Sequence, residues 1–266
     1  MENLFFVKLG GSLITDKDQI RFARLEVLHR LADEIKQAVD HCPDLRLVIG
    51  HGSGSYGHQS ANRHKTIHGV YSQAQWLGFA EVWKDARDLN QIVIDALVEA
   101  GLPIVSFPPS AWVITQNRKI VQSFEPPIHL ALHSGLFPVI QGDVIFDQQT
   151  GGTILSTEDL FFHLSQSMKP KRILLAGVEA GIWDAFPERN RLIPKITPDN
   201  FSQMGPAISG SASVDVTGGM VEKVSTMLQL LDQNPSIEIL IFSGLQPGEL
   251  FSALVGGYPG TTLCSK

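Results

Sequence analysis

Cysteine is scarce: Cys42 and Cys264 are the only two in 266 residues, far apart and outside any CxxC pair. That excludes a disulfide framework and a cysteine-built zinc site, and it suits a reducing cytoplasm. No apolar run approaches the roughly 20 residues needed to span a bilayer, and the chain enters a strand-like run at Leu4 without a basic leader segment. The expectation is a soluble protein with no membrane partner. Positive charge is also in deficit, 21 Lys and Arg against 27 Asp and Glu, a formal net charge of −6. A polyphosphate backbone would meet net repulsion, so nucleic acid is not expected as a partner. The Gly-Lys dipeptide is missing altogether, which rules out the GxxxxGK[ST] loop of P-loop nucleotidases. Repeats, low-complexity tracts and interdomain linkers are missing too. What is present is a chain 43% hydrophobic, enough for a sizeable core in one domain spanning residues 1–266.

Hydrophobic periodicity alternates between two kinds of element. Residues 4–9 form a short apolar run ended by Gly10-Gly11, and residues 45–49 another ended by Gly50-His51-Gly52; both read as buried strands. Between them Leu25, Leu28, Leu31, Ile35 and Val39 recur at three- and four-residue steps, the stripe of an amphipathic helix. A longer stripe from Trp76 to Leu97 leads to a strand at 103–107, and further strands are expected at 137–140, 172–175 and 238–242. Val-, Ile- and Leu-rich strands alternating with helices predict a mostly parallel sheet covered on both faces. Asp147-Gln148-Gln149-Thr150-Gly151-Gly152 reads as a hairpin turn that could cover a site, Pro108-Pro109 and Pro126-Pro127 as local turns or helix starts, and residues 185–215 as the least regular stretch, suited to a mobile loop.

Chemical information concentrates in three glycine-rich turns: Lys8-Leu9-Gly10-Gly11-Ser12, the stretch from Gly50 to His58, and Asp215-Val216-Thr217-Gly218-Gly219-Met220-Val221-Glu222-Lys223. Glycines at strand ends let backbone N–H groups approach a ligand closely, and a following helix N-terminus favours anions, so phosphate is the natural guest. The second turn contains a literal GxGxxG, Gly52 to Gly57, but the dinucleotide reading fails on context. No helix is expected directly after the glycines, because the loop runs into Asn62-Arg63-His64-Lys65. About 20 positions on, where an acid should bind ribose, stand Ser72-Gln73-Ala74-Gln75.

Lys8-Leu9-Gly10-Gly11-Ser12 followed by Lys17, then His51-Gly52-Ser53-Gly54-Ser55-Tyr56-Gly57-His58, Gly142-Asp143-Val144 and the Asp215 to Met220 motif with Lys223, together resemble the amino acid kinase superfamily. Within it the pattern is most similar to isopentenyl phosphate kinases. The match runs in order over nearly the whole chain; HGxGSxGH combined with DVTGGMxxK is specific, whereas KxGGS marks only the superfamily. The resemblance implies a three-layer αβα sandwich around a mostly parallel sheet, an acceptor-binding lobe at about 1–155, an ATP-binding lobe at about 156–266, and a homodimer. It implies ATP and Mg²⁺ as cofactors, no protein metal site, and isopentenyl phosphate as the small-molecule substrate.

Carried over residue by residue, the resemblance makes Lys8, Lys17 and His58 catalytic. Lys8, Gly10, Gly11, Ser12, Gly54, Gly219 and Lys223 bind ATP, with Lys17 stabilising the transition state. Gly52, Ser53 and Gly54 line the meeting point of donor and acceptor, Gly142 gives a backbone N–H to the acceptor phosphate, and His58 clamps that phosphate. Chemistry agrees, since a phosphate monoester with a second pKa near 6 is already an anionic nucleophile at pH 7 and needs cations and donors rather than a general base.

Other positions keep two readings. In Ser156-Thr157-Glu158-Asp159, Glu158 fits the acid that orients the catalytic lysines, Asp159 could substitute, and an N-cap with acids in the first helical turn is equally natural. Phe79, Val82, Trp83 and Ala86 lie where a pocket for a short branched chain would be, at a spacing that also suits core; Phe79 and Trp83 are the substrate-binding candidates, with Trp83 limiting tail length. From Leu175 to Trp183 the chain departs from the many relatives that carry acidic residues before Gly-Val-Tyr or Gly-Val-Phe, leaving nucleotide contacts there open; Trp183 could flank the adenine or simply pack. His64 and His68 are spaced i, i+4 but lack a third ligand for zinc, and Lys65 and Lys84 read as surface charges. Competing functions are a kinase for a phosphonate, as in fosfomycin kinases, or for a carboxylate or carbamate, and a non-catalytic nucleotide sensor.

Overall fold

The computed structural model describes residues 3–184, 190–204 and 220–265. The chain begins with β1 (Leu4–Leu9), the single-turn α1 (Gly11–Ile14), α2 (Leu25–His41), β2 (Arg46–His51), α3 (Gly54–His64), the long α4 (Gln73–Glu99) and β3 (Ile104–Ser106). Then come β4 (Val113–Gln116), β5 (Lys119–Ser123), α5 (Pro126–His133), β6 (Phe137–Gln141), β7 (Asp143–Asp147) and β8 (Gly151–Leu155). The remainder runs α6 (Thr157–Met168), β9 (Arg172–Gly177), β10 (Ile182–Trp183), β11 (Leu192–Ile193), β12 (Lys195–Ile196), α7 (Pro198–Met204), α8 (Met220–Gln233), β13 (Glu238–Ser243), α9 (Glu249–Leu254) and β14 (Thr261–Leu263).

Alternation along β1 sets the layering. Leu4 and Phe6 enter one core with Ile128 of α5, Phe161 and Leu164 of α6, and Val224 and Met227 of α8. Phe5, Val7 and Leu9 enter the other with Leu28, Leu31 and Ile35 of α2, Leu89 and Val93 of α4, and Leu250 of α9. Successive side chains point to opposite faces of a strand, so this apolar run serves both cores. Among the described residues the main sheet has eight strands in the order β12-β14-β13-β9-β1-β2-β6-β3, parallel apart from the β13–β14 pair. The three-layer αβα arrangement expected from the sequence is therefore present. From β1 the chain proceeds to β2 on one side, while β9 pairs with its other edge. Such a reversal of strand order opens a crevice at the carboxyl ends of the strands, where α/β sheets bind ligands.

Two features depart from expectation. Helix α3 starts at Gly54, directly on the glycine turn, where the sequence reading had none. Its apolar stripe is weak, with glycine at both Gly54 and Gly57, so periodicity gave no signal. One ground for rejecting a dinucleotide loop thus falls, while the missing acid stands. Second, β5-β4-β7-β8 form a separate four-stranded sheet beside the main one. The expected hairpin is its β7–β8 pair. Asp147 closes that turn, its carboxylate accepting the N–H groups of Gln149 and Thr150, both at 2.9 Å, and reaching across to Arg118 N–H at 2.9 Å. Both proline pairs begin short helical segments. Of the irregular stretch 185–215, residues 190–204 carry β11, β12 and α7, and the rest, together with residues 216–219 that follow it, lies outside the described residues. Among the described residues no helix is long and apolar enough to cross a membrane.

Candidate active site

Lys8 stands two residues beyond Phe6 on β1, so its side chain leaves the sheet on the α6 side. There it meets Glu158, in the first turn of α6, in a buried ion pair. Lys223 of α8 approaches the same Glu158 oxygen to 4.0 Å. One carboxylate thus stands between two ammonium groups delivered by opposite ends of the sequence. Burial pushes the Glu158 carboxyl up, but the charges of Lys8 and Lys223 outweigh it and hold its pKa below the ordinary value. The two readings of the Ser156 segment divide between neighbours. Asp159 forms a capping box with Ser156, its Oδ2 accepting the Ser156 N–H at 2.8 Å, and Glu158 bridges the lysines.

The glycine turns interlock backbone to backbone. A Cβ on Gly11 would stand 2.6 Å from the Gly54 nitrogen, and one on Gly52 would stand 3.0 Å from the Gly11 nitrogen. Gly54 has φ +48°, and a Cβ there would run into Thr15 Oγ1 and lie 2.7 Å from the Gly11 carbonyl oxygen. Thr15 staples the pair, its hydroxyl donating to the Gly11 carbonyl at 2.7 Å and accepting the Ser55 N–H at 2.9 Å. The Gly10 N–H is used by the fold, donating to Ala176 at 2.8 Å. Gly11 and Ser12 open α1, where helical N–H groups have no intrahelical acceptor. Gly219 lies outside the described residues.

Beside these turns is a small cleft lined by Ser53, Gly57, His58, Ala61, Val82, Ala86, Gly142, Asp143 and Ile154. Polar groups come from the start of α3 and the β6–β7 junction, apolar ones from α4 and β8. Ser53, His58 and Gly142 therefore share one cleft. The Gly142 N–H does not serve as expected, because it donates to the His51 carbonyl oxygen at 3.1 Å. That oxygen also accepts the Thr157 hydroxyl at 2.7 Å, which ties the end of β2 to the start of α6. Phe79 and Trp83 are not among the lining residues. Phe79 is buried in the cluster behind them with Ala61, Val82, Val144 and Ile154, and Trp83 packs against its edge beneath Arg87. Lys17 is exposed on the loop between α1 and α2. Trp183 donates to Glu179 at 3.2 Å, and His64 contacts Glu81 at 2.7 Å.

Sequence reasoning passed over Asp143 and His51. Asp143 accepts the Val144 N–H at 2.7 Å, and burial pushes its carboxyl up to about 8, so it is mostly neutral at pH 7. His51 is fully buried, with Nε2 3.0 Å from Asn90 Oδ1. Burial lowers its pKa. Their membership of the Gly142-Asp143-Val144 and His51-Gly52 motifs was the available signal, but only packing reveals the burial. Two cations around an internal carboxylate, interlocked amide turns and an adjoining cleft with a histidine can neutralise and orient anionic groups.

Comparison with known proteins agrees with this chemistry. Residues 3–243 match the profile of the amino acid kinase family. The chain is 31% identical to an isopentenyl phosphate kinase of Methanocaldococcus jannaschii over 98% of each sequence. It is likewise 31% identical to one from Methanothermobacter thermautotrophicus, over 95% of this chain and 96% of that protein. Among solved structures, an isopentenyl phosphate kinase superposes with a TM-score of 0.83 at 29% identity, covering 98% of this chain and 100% of the other.

Proposed function

The chain belongs to the amino acid kinase family, and from that we propose that it transfers the γ-phosphoryl group of ATP to isopentenyl phosphate, forming isopentenyl diphosphate and ADP. The observation that carries the reading is the Lys8–Glu158–Lys223 arrangement beside a cleft that is polar at the His58 end and apolar at the Val82, Ala86 and Ile154 end. Full-length likeness to isopentenyl phosphate kinases supports the acceptor.

In this reading an oxygen of the acceptor phosphate attacks the γ-phosphorus. The new P–O bond forms as the bond to the β,γ-bridging oxygen breaks, and ADP leaves. The dianionic acceptor brings its own electron pair, so no side chain needs to remove a proton. Lys8 and Lys223 meet the donor phosphates, with Glu158 spacing the two ammonium groups. Gly10, Gly11, Ser12 and Gly54 bring backbone close to the transferring group, and Gly219 completes the donor side. Lys17 offsets the charge that spreads over the phosphoryl oxygens in the transition state. His58 and Ser53 hold the acceptor phosphate, Gly142 lines the same cleft, and the isoprenyl chain lies toward Val82, Ala86 and Ile154.

Mg²⁺ fits as an ion carried by the nucleotide. The central acid, Glu158, is already neutralised by two lysines, and among the described residues no group of three ligating side chains could cage a metal. Bound together with the nucleotide, Mg²⁺ would supply further charge neutralisation, and it is commonly held with few protein ligands. Residues from about 1–155 form the acceptor lobe and those from about 156–266 the ATP lobe. The reading includes a cytoplasmic homodimer.

The test is ADP release by purified protein with ATP and Mg²⁺ across isopentenyl phosphate, dimethylallyl phosphate, fosfomycin, carbamate and amino acids. Turnover confined to the first two is expected. Turnover on fosfomycin or a carboxylate alone would move the assignment within the family, and ATP binding without any turnover would mark a sensor.

A further inference from the structure

Lys17 sits on a loop whose base and far arm are held by different means. The base is closed by the Thr15–Ala23 bridge and by the Asp16 N–H donating to Phe22 at 2.9 Å. The near arm turns on Asp16, whose carboxylate accepts the Asp18 N–H at 3.0 Å. The far arm ends in Arg21, a non-glycine residue with φ +54°. Side chains rarely adopt that backbone region unless surrounding contacts hold them there. Such contacts exist here. The guanidinium forms ion pairs with both Asp85 and Asp88 of α4, one terminal nitrogen to each. Its carbon lies 5.3 Å from the centre of the Tyr56 ring, within the second glycine motif. A planar fork matched to two carboxylates and stacked on an aromatic face fixes orientation in a way that a lysine would not. Asp85 lies between Val82 and Ala86, which line the cleft.

We propose that Arg21 is a positioning residue: by gripping Asp85 and Asp88 it fastens the Lys17 loop to the helix that walls the acceptor cleft, and so sets where the Lys17 ammonium stands during transfer. The inference rests on the kinase reading above. Arg21 touches neither substrate in this scheme and acts through Lys17 alone.

Steady-state kinetics with ATP, Mg²⁺ and isopentenyl phosphate test it after wild-type turnover has been established; failure at that first step would reject the kinase reading and leave no basis for the clasp. Arg21→Ala should lower kcat about 10- to 100-fold, the scale of a misplaced catalytic group, with both KM values changed less than about threefold. Arg21→Lys should recover only part of the loss. The decisive comparison is Lys17→Met against Lys17→Met/Arg21→Ala, which should have equal kcat if Arg21 works through Lys17. A readout independent of turnover is lysine-specific endoproteinase cleavage after Lys17, expected to speed several-fold in Asp85→Asn/Asp88→Asn with Tm nearly unchanged. Should Arg21→Ala fail to fold, Arg21→Lys and the double Asn variant carry the same comparison. Unaltered kcat in folded variants, or a full further loss on the Lys17→Met background, would overturn the proposal.

Discussion

Single residues carry the electrostatics, and two of them titrate in opposite senses. Glu158 has a depressed pKa, so it contributes stability above its ordinary value of 4.5, and that contribution disappears as pH falls through the lower folded-state value. Glu158→Gln should abolish this acid-side step in urea unfolding. It should also reduce stability near pH 7 by on the order of a few kcal/mol, because two ammonium groups lose their shared counter-charge. Turnover should fall by roughly two orders of magnitude through loss of lysine placement. Asp143 is the reverse. With its carboxyl pushed up from 3.8 to about 8, the unfolded chain releases the proton before the folded one does. Stability therefore falls as pH rises between these values and levels off above them. Asp143→Asn should flatten that slope and be more stable than the parent at pH 8. A parallel pH dependence of parent and variant would show that Asp143 is ionised in the folded protein. Lys8, Lys17, Lys223 and His58 were recognisable from motif register, since their spacing from the glycines is local. The choice between Glu158 and Asp159 was not, because both suit the first turn of a helix and only packing against β1 separates them.

Elements decide how close the two glycine turns come. The start of α3 packs on α1 with backbone against backbone, and Gly54 takes a left-handed φ that glycine tolerates freely. Gly54→Ala should therefore strain both the backbone and the Thr15 contact. A drop in Tm of about 5–10 °C is expected, matching a cost of a few kcal/mol for a chain this long, together with loss of turnover from parted turns. The strands, α2 and α4 were readable from apolar periodicity. Helix α3 was not, because the positions it buries are mostly glycine, serine and alanine, which leave no stripe of large apolar residues. The short strands β4 and β5 escaped for another reason: β4 alternates over only four residues and β5 is almost wholly exposed, so neither carries much signal.

At the scale of the whole molecule, the cleft joins α3, α4, β7 and β8, which come from separate parts of the sequence. Behind Val82 and Ile154 lies Phe79, its ring 5.3 Å from Trp76 and 5.2 Å from Phe146. Truncation there should extend the apolar end of the cleft, so Phe79→Ala is expected to raise kcat/KM for prenyl monophosphates longer than five carbons relative to isopentenyl phosphate. Trp83→Ala should shift that ratio less, since Trp83 packs at the edge of the cluster. Equal ratios in Phe79→Ala and parent protein would show that the tail takes another course. By itself the sequence determined the sandwich, through runs and stripes whose period is set by backbone geometry within a few residues, and it determined which lysines and glycines stand at strand ends. Tertiary structure alone decided which carboxylate joins Lys8 to Lys223, that the Gly142 N–H belongs to His51, and that Arg21 reaches acids 64 and 67 positions away on α4. The reason is physical: ion-pair and hydrogen-bond partners are chosen by the packing of whole layers, and nothing in the local pattern around either partner encodes the other.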